Sequence, residues 1–149
     1  YLEFAITAPF LLALLLGGIE ITRYILITQK VEKIAVTISD VVSQGSTVST
    51  SGLDNIITAA EQVMLPYSFG ASGYVIVTSV RQNGAYTVSN PPRVAWQYRG
   101  GGTWLQNSRV GTPGTAATLP NNMTLFDKDN VIVTEVFYNF RPIIITQSY

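Results

Sequence analysis

The sequence predicts an α+β fold, with a long N-terminal α-helix, a short second helix and an antiparallel β-sheet head of about four strands. Three observations predict it: an uncharged apolar run that continues as an amphipathic helix, a second stretch of helical periodicity, and several β-rich segments after it. We therefore divide the 149 residues into an N-terminal helix at 1–43, a linker at 44–51 and a globular head at 52–149.

The first predicted helix begins with an apolar run. Residues Phe4 to Ile19 carry no charge, and the sequence stays largely apolar as far as Ile27. No Gly or Pro lies between Gly18 and Gly45, so one helix can run from about Leu2 to Ser43. Such a helix measures roughly 63 Å, about twice the hydrocarbon thickness of a bilayer.

The second half of this helix is amphipathic. Its apolar residues recur at alternating spacings of three and four, the period of a helix-packing seam. These residues are Tyr24, Ile27, Val31, Ile34, Ile38 and Val41. A membrane anchor needs only the first half of the helix, whereas a helix that buries its first half among identical helices uses both. A cleaved signal peptide fits less well, because an acidic residue instead of a basic leader precedes the apolar run.

Two helix-breaking signals lie inside the apolar half. Pro9 has no N–H group, so we expect a kink between Thr7 and Phe10. Gly17 and Gly18 form a second weak point, and they also let another helix approach closely.

Glu3 is the candidate assembly residue with the sharpest physical argument, because an ionised carboxylate beside an apolar helix is costly unless it is paired. The sequence begins at Tyr1 and not at Met, so we expect a processed chain whose free α-amino group could pair with Glu3 of a neighbouring copy. Alternatively, Glu3 complements the helix dipole or is solvated among lipid headgroups.

Glu20 and Arg23 lie three residues apart and can form an ion pair, as a membrane-interface marker or as an inter-subunit contact.

The second predicted helix follows the Gly/Ser/Thr-rich linker. Asp54 is expected in its first turn, and Pro66 is expected to stop it. Its apolar face consists of Leu53, Ile56, Ile57, Ala60, Val63 and Met64. This face predicts packing on the sheet or on the lower half of the first helix.

The sequence of the head from Gly73 onward predicts β-strands. The β-rich segments run from Tyr74 to Val80, Ala85 to Ser89, Arg93 to Arg99 and Val131 to Phe140. Asn83-Gly84 is a hairpin signal between the first two. In the third segment Val94, Trp96 and Tyr98 are expected to share one face.

The last segment alternates between two faces. One face carries Ile132, Thr134, Val136 and Tyr138, and the other carries Val131, Val133, Glu135 and Phe137. After Arg141-Pro142, the residues Ile143 to Ile145 either continue this strand or form an edge.

The segment LEFAITAPFLLALLLGGIEITRYILITQ resembles the N-terminus of TadE-like pilins and pseudopilins, the tight-adherence branch of the type IV pilin superfamily. The matching features are Glu3-Phe4-Ala5, Pro9 in a Leu-rich run and Glu20-Ile-Thr-Arg23-Tyr24. The stretch from Val131 to Pro142 is similar to the closing strand of the family. In the family a Glu is typically the fifth residue of the mature chain, whereas here it is the third, so the cleavage register differs or two residues precede Tyr1.

The resemblance implies a structural subunit of an extracellular Tad-type pilus. Its partners would be identical subunits in a helical filament, with the chain held in the inner membrane before assembly. The family also implies a prepilin peptidase, a platform protein and a cytoplasmic ATPase. Two alternatives stay open: a minor TadE-like pseudopilin that primes or regulates assembly, and a single-pass membrane-anchored binding domain that never polymerises.

The composition argues against most other classes of function. Nine basic residues balance nine acidic ones, and there is no basic block, so nucleic acid is not an expected partner. The chain has no His and no Cys, so we expect no enzyme, no catalytic residue, no metal site and no cofactor.

Three weaker signals remain. Asp127-Lys-Asp129-Asn130 has oxygen ligands suited to calcium but only half of the required pattern, so a plain turn is favoured. Asn122 begins a glycosylation sequon. The glycine-rich stretch from Gly100 to Thr118 predicts a long loop over the sheet, with Trp104 and Arg109 at a subunit interface, on the outer surface or in a mobile loop.

Overall fold

The computed structural model describes residues 1–45 and 48–143. In this part of the chain the helices are α1 (Leu2–Gln44) and α2 (Thr50–Glu61), and the strands are β1 (Gly73–Arg81), β2 (Arg93–Gly100) and β3 (Asn130–Tyr138). Short 3₁₀ turns lie at Gln62–Met64 and Pro120–Asn122. The predicted α+β class is confirmed, with three strands in the described residues instead of about four.

Helix α1 extends over 43 residues and ends one residue beyond the predicted boundary. It continues through Pro9 and stops where Gly45 adopts an extended backbone with φ −82° and ψ 130°. The packed half buries Ile27, Ile34, Ile38 and Val42.

The predicted seam was wrong at its C-terminal end. Val42 is buried there, and Val41 is 44% exposed. The reason is the period: a straight α-helix packs at 3.6 residues per turn, and a strict 3.5-residue pattern drifts away from the contact face. The buried residues of α1 pack on the head of the same chain, mainly against β3.

Helix α2 begins inside the predicted linker, because Ser49 caps it. The Ser49 hydroxyl accepts a hydrogen bond from the Gly52 backbone N–H at 3.1 Å. The prediction placed Asp54 in the first turn of this helix. Because the helix begins earlier than predicted, Asp54 lies beyond its first turn. The buried residues of α2 and the turn after it belong to the predicted apolar face: Leu53, Ile57, Ala60 and Met64.

The sheet has the order β2-β1-β3, and both pairings are antiparallel. At its centre, Val77 lies opposite Tyr98 on one side and Thr134 on the other. The central strand is buried on both faces. Helices α1 and α2 cover one face, and the long segment between β2 and β3 covers the other.

The predicted strand from Ala85 to Ser89 does not form. Gln82 donates through its side-chain amide to the backbone oxygens of Gly84 at 3.0 Å and Asn90 at 3.1 Å. Asn90 donates in turn to the backbone oxygen of Asn83 at 2.8 Å. These side-chain amides satisfy carbonyl groups that a strand would pair with its neighbour, so the segment folds as a loop.

The tight turn in this loop also differs from the prediction at Asn83-Gly84. An isolated bridge pairs Thr87 with Asn90, which places the reversal between them. Gly84 still adopts a positive φ of 83°, a conformation that glycine reaches without steric cost.

A β-bulge in β2 overturns the predicted common face of Val94, Trp96 and Tyr98. Trp96 lies opposite Ser79, and Val94 lies opposite Val80, so the register shifts between them. One extra residue reverses the alternation of the side chains. Trp96 and Tyr98 therefore face the helices, and Val94 packs on the opposite face.

The alternation predicted for β3 is confirmed. Ile132, Val136 and Tyr138 pack against the helices, and Val131 and Val133 pack on the other face. The tail prediction cannot be followed to its end, because Ile144 and Ile145 lie outside the described residues.

The outer edge of β2 is partly covered by the segment between β2 and β3. The Val94 backbone N–H donates to Thr115 at 3.0 Å, and its oxygen accepts from the Gly114 N–H at 2.8 Å. The same segment buries Val110 and Leu119 against the sheet. The predicted loop over the sheet is thus an ordered part of the head that packs on the sheet and hydrogen-bonds to β2.

Candidate assembly helix and its junction with the head

The N-terminal half of α1 projects from the head, and none of the described residues covers it. The most apolar window of this helix has a mean hydropathy of 2.0 and is 0% buried, so α1 has the length and composition to cross a membrane. Its large apolar side chains are between 43% and 76% exposed: Leu2, Phe4, Ile6, Phe10, Leu11, Leu12, Leu14, Leu15, Leu16, Ile19, Ile21, Tyr24, Ile25 and Leu26. An apolar surface of this extent needs lipid or protein to cover it.

Glu3 lies exposed in the first turn of this bare helix. The Thr7 hydroxyl donates to its backbone oxygen at 2.9 Å. Across residues 1–45 and 48–143, no cation lies within ion-pair distance of its carboxylate. Pro9 lies six residues after Glu3, and it leaves the Ala5 carbonyl without a helical donor. The end of the helix therefore carries a charge with no partner among the described groups.

Gly17 and Gly18 have no steric reason to be glycine within the described structure. A Cβ atom built on either residue meets no heavy atom within 4 Å. Glycine in a helix interior is less favourable than alanine by about 0.8–1.0 kcal/mol per residue. Any packing reason for the pair would therefore lie outside the described residues.

The predicted ion pair between Glu20 and Arg23 forms, with 3.3 Å between Oε1 and Nη1. It contains more than a helix-surface pair, because the other Glu20 oxygen accepts a hydrogen bond from the Ile143 backbone N–H at 3.2 Å. The two side chains are only 17% and 24% exposed, respectively. The Glu20 carboxylate therefore ties the segment after β3 to α1, at the point where the helix leaves the head.

Aromatic rings surround this junction. The Arg23 guanidinium lies 5.9 Å from the ring centroid of Tyr67 and 5.8 Å from that of Phe140. Tyr24 meets Phe140 edge to face at 5.4 Å. Burial raises the pKa of the Tyr138 hydroxyl, and the positive charge of Arg23 partly offsets this effect.

An apolar cleft of about 270 Å³ opens beside these rings. The residues that line it include Tyr24, Val31, Trp104, Val136, Tyr138 and Phe140. We define the aromatic collar as Tyr24, Tyr67, Trp104, Tyr138 and Phe140, together with Arg23, whose guanidinium lies within 6 Å of the ring centroids of Tyr67 and Phe140. The collar lies at the boundary between the bare helix and the head.

The two residues predicted in the long loop both lie against the head. Trp104 is half-buried in the cleft. Arg109 donates its backbone N–H to Glu135 at 2.8 Å, and its guanidinium lies 6.0 Å from the Phe137 ring. The glycine-rich sequence thus contacts β3 at Arg109 and lines a cleft together with β3 at Trp104.

The candidate calcium segment is a turn. Asp127 accepts from the Gly84 backbone N–H at 2.6 Å, and Asp129 accepts from the Phe126 N–H at 2.8 Å. Asn130 accepts from the Ser79 hydroxyl at 2.7 Å. Each of these hydrogen bonds uses one side-chain oxygen of its acceptor, and residues 127–128 form a turn. The side chain of Asn122, the candidate glycosylation residue, lies outside the described set.

Sequence reasoning missed a second tie between α1 and the head. The Lys30 ammonium group donates to the backbone oxygens of Val63 and Leu65, at 2.7 Å each. These oxygens lie at the end of the α2 region, where unpaired carbonyl groups attract a cation. The sequence placed Lys30 off the packing seam and carried no signal for this contact, because its partners are backbone atoms more than thirty residues away.

The fold and the site together define a class of protein: a head mounted on one helix, half of which lies in the core of the head while the other half requires lipid or protein around it. Residues 2–37 match the family model described as TadE-like protein. The match confirms the predicted resemblance over most of α1, and it indicates a function related to the Tad pilus. No curated protein and no solved structure matches the chain.

Proposed function

We propose that this chain is a structural subunit of an extracellular, type IV-like pilus of the Tad type, and that it polymerises through the bare half of α1. The observation that carries the proposal is the division of one 43-residue helix into a buried half and an uncovered apolar half. In a filament, the uncovered halves of identical subunits would bundle in the core, and the heads would lie outside.

Before assembly, the same half of α1 would lie in the inner membrane. Glu3 and Glu20 are 17 positions apart, which corresponds to roughly 25 Å of helix, close to the hydrocarbon thickness of a bilayer. Assembly then replaces lipid around the apolar side chains with neighbouring helices. The prepilin peptidase, the platform protein and the ATPase implied by the family would process and move the subunit.

Glu3 has the central role in this proposal. A carboxylate at the end of an apolar helix bundle is costly unless a cation pairs with it. A neighbouring subunit would supply that cation. Pro9, Gly17 and Gly18 would shape the contact between helices, and Glu20 with Arg23 would hold the helix to the head.

The experiment compares Glu3→Ala with the matched control Glu32→Ala, which removes an exposed carboxylate from the part of α1 within the head. We expect both variants to stay in the membrane fraction after alkaline extraction. We expect sheared filaments, counted by electron microscopy and immunoblotting, to be lost for Glu3→Ala only. Unchanged piliation in Glu3→Ala would refute the pairing role of Glu3.

A second candidate is a minor TadE-like subunit that primes or regulates a filament made mainly of another pilin. The match of residues 2–37 to the TadE-like family model supports this candidate as well, because pseudopilins are among the proteins that the N-terminal segment resembles. The ratio of this chain to other proteins in sheared filaments distinguishes the two roles. If the unaltered chain is absent from filaments and stays in the membrane, the role as main structural subunit is wrong, and a minor pseudopilin or a membrane-anchored binding domain remains.

A further inference from the structure

We propose that the aromatic collar binds the headgroup region of a phospholipid bilayer and sets the depth to which α1 inserts. This inference rests on one part of the proposed function, the membrane-inserted state before assembly, and it does not require polymerisation.

The first argument is position along the helix. If Glu3 lies at one face of the hydrocarbon layer, Glu20 lies roughly 25 Å further along, near the opposite face. Arg23 and Tyr24 follow within about one turn, or about 5 Å. The collar is therefore level with the headgroups whenever the apolar run fills the hydrocarbon layer.

The second argument is chemistry. Trp and Tyr concentrate at membrane interfaces because their rings are apolar and their N–H and O–H groups are polar. The collar combines one tryptophan and three tyrosines with an arginine, whose guanidinium suits phosphate groups. Tyr24 is 56% exposed, and the cleft beside it is open and mainly apolar, so acyl and glycerol groups can reach both.

The third argument is electrostatic. Glu20 would bring a negative charge to the phosphate level, but its two oxygens are bound by Arg23 and by the Ile143 backbone N–H. The repulsive group is thereby neutralised within the protein. Arg23 stays between the rings of Tyr67 and Phe140, at the surface where the helix emerges.

The two tryptophans of the chain provide a built-in control. Trp104 lines the collar cleft beside Tyr24, whereas Trp96 lines a separate cleft beside Val42. Along α1 these two positions are separated by roughly 27 Å, almost the length of the packed half of the helix. A lipid-borne quencher at the headgroup level reaches the first tryptophan and not the second.

The test uses the full chain, purified in detergent and reconstituted at low density into phosphatidylcholine vesicles. The vesicles contain lipid brominated either near the glycerol end or near the methyl end of the acyl chain. The variants Trp96→Phe and Trp104→Phe each leave one tryptophan as the reporter, and circular dichroism checks that their helix content is unchanged. The unaltered chain, with both tryptophans, provides a measurement that needs no substitution.

We expect the emission of Trp104 to be quenched, more strongly by bromine near the glycerol end than near the methyl end. We expect the emission of Trp96 to be unaffected and that of the unaltered chain to be quenched in part. Absence of quenching at Trp104 would overturn the proposal, and so would equal quenching of the two tryptophans. A Trp104 emission that responds to protein density and not to brominated lipid would overturn it in favour of a second copy of the chain in the cleft.

Failure here and failure of the proposed function are distinguishable. Quenching is measured on dispersed chains, whereas filament formation is measured on sheared cells. A pilus subunit whose head lies clear of the membrane would fail only the first measurement, and an anchored binding domain would fail only the second.

Discussion

Replacing Gly17 and Gly18 together by alanine should change the helix and the assembly in opposite directions. Each replacement favours the helix by about 0.8–1.0 kcal/mol, because alanine loses less backbone entropy than glycine. Nothing lies within 4 Å of either added methyl group, so no clash within the described chain reduces this gain. The sum is close to 2 kcal/mol, or about a thirtyfold change in a local opening equilibrium.

Two measurements on the double variant separate the effects. Amide hydrogen exchange in detergent micelles should slow over the turns around the two positions, and the filament yield from sheared cells should fall because neighbouring helices can no longer approach as closely. Leu12→Phe is the control, since it adds bulk at an exposed position on the opposite face of the same bare helix. An unchanged filament yield in the double variant would refute the inferred close approach. Faster exchange would show instead that the helix is locally damaged.

Two predictions concern the head. Ile38 is 0% exposed between α1 and the sheet, so Ile38→Ala should destabilise the fold by about 2–5 kcal/mol in thermal unfolding, whereas Val36→Ala, at a 61% exposed position, should have little effect. Equal effects would show that α1 does not pack as described. The pKa of Tyr98 lies above its usual value of 10.0 because its hydroxyl donates to the Asp54 carboxylate, with smaller contributions from burial and the Asp54 charge. A raised folded-state pKa stabilises the fold below the unfolded pKa and loses that effect as the pH rises through the folded value. Unfolding temperatures of the wild type should therefore fall more steeply above about pH 10 than those of Tyr98→Phe, and identical pH profiles would contradict this.

Local patterns predicted the elements that local forces determine. The sequence predicted α1 to within one residue, because apolar periodicity and the first breaker at Gly45 define it. It predicted the alternation of β3 for the same kind of reason. It failed for Ala85 to Ser89, where Gln82 and Asn90 compete for the backbone, and for Val94, where a bulge reverses the face. Neither effect leaves a periodic signal.

At the junction between α1 and the head, the local contact was likewise predictable and the long-range contact was not. The Glu20–Arg23 pair was predictable, because residues three apart on a helix face each other. The contact from Glu20 to Ile143 was not, because 123 residues separate the partners and only the completed sheet brings them together. The collar likewise gathers Tyr67 and Trp104 from distant segments. For Glu3, Pro9, Gly17 and Gly18, a single chain provides location and exposure, and the proposed partners lie on other molecules.

The segment that covers part of the outer edge of β2 affects how closely two heads can approach without pairing their strands. An open strand edge is a template for pairing with any other open edge, and heads held side by side would reach a very high local concentration. Here the Val94 backbone is already bonded to Gly114 and Thr115, and the bulge beside it distorts the strand. At Val94, the backbone N–H and C=O groups are therefore not available to pair with a strand of another head. In the proposed filament, neighbouring heads could therefore pack against this part of the sheet without pairing their strands there.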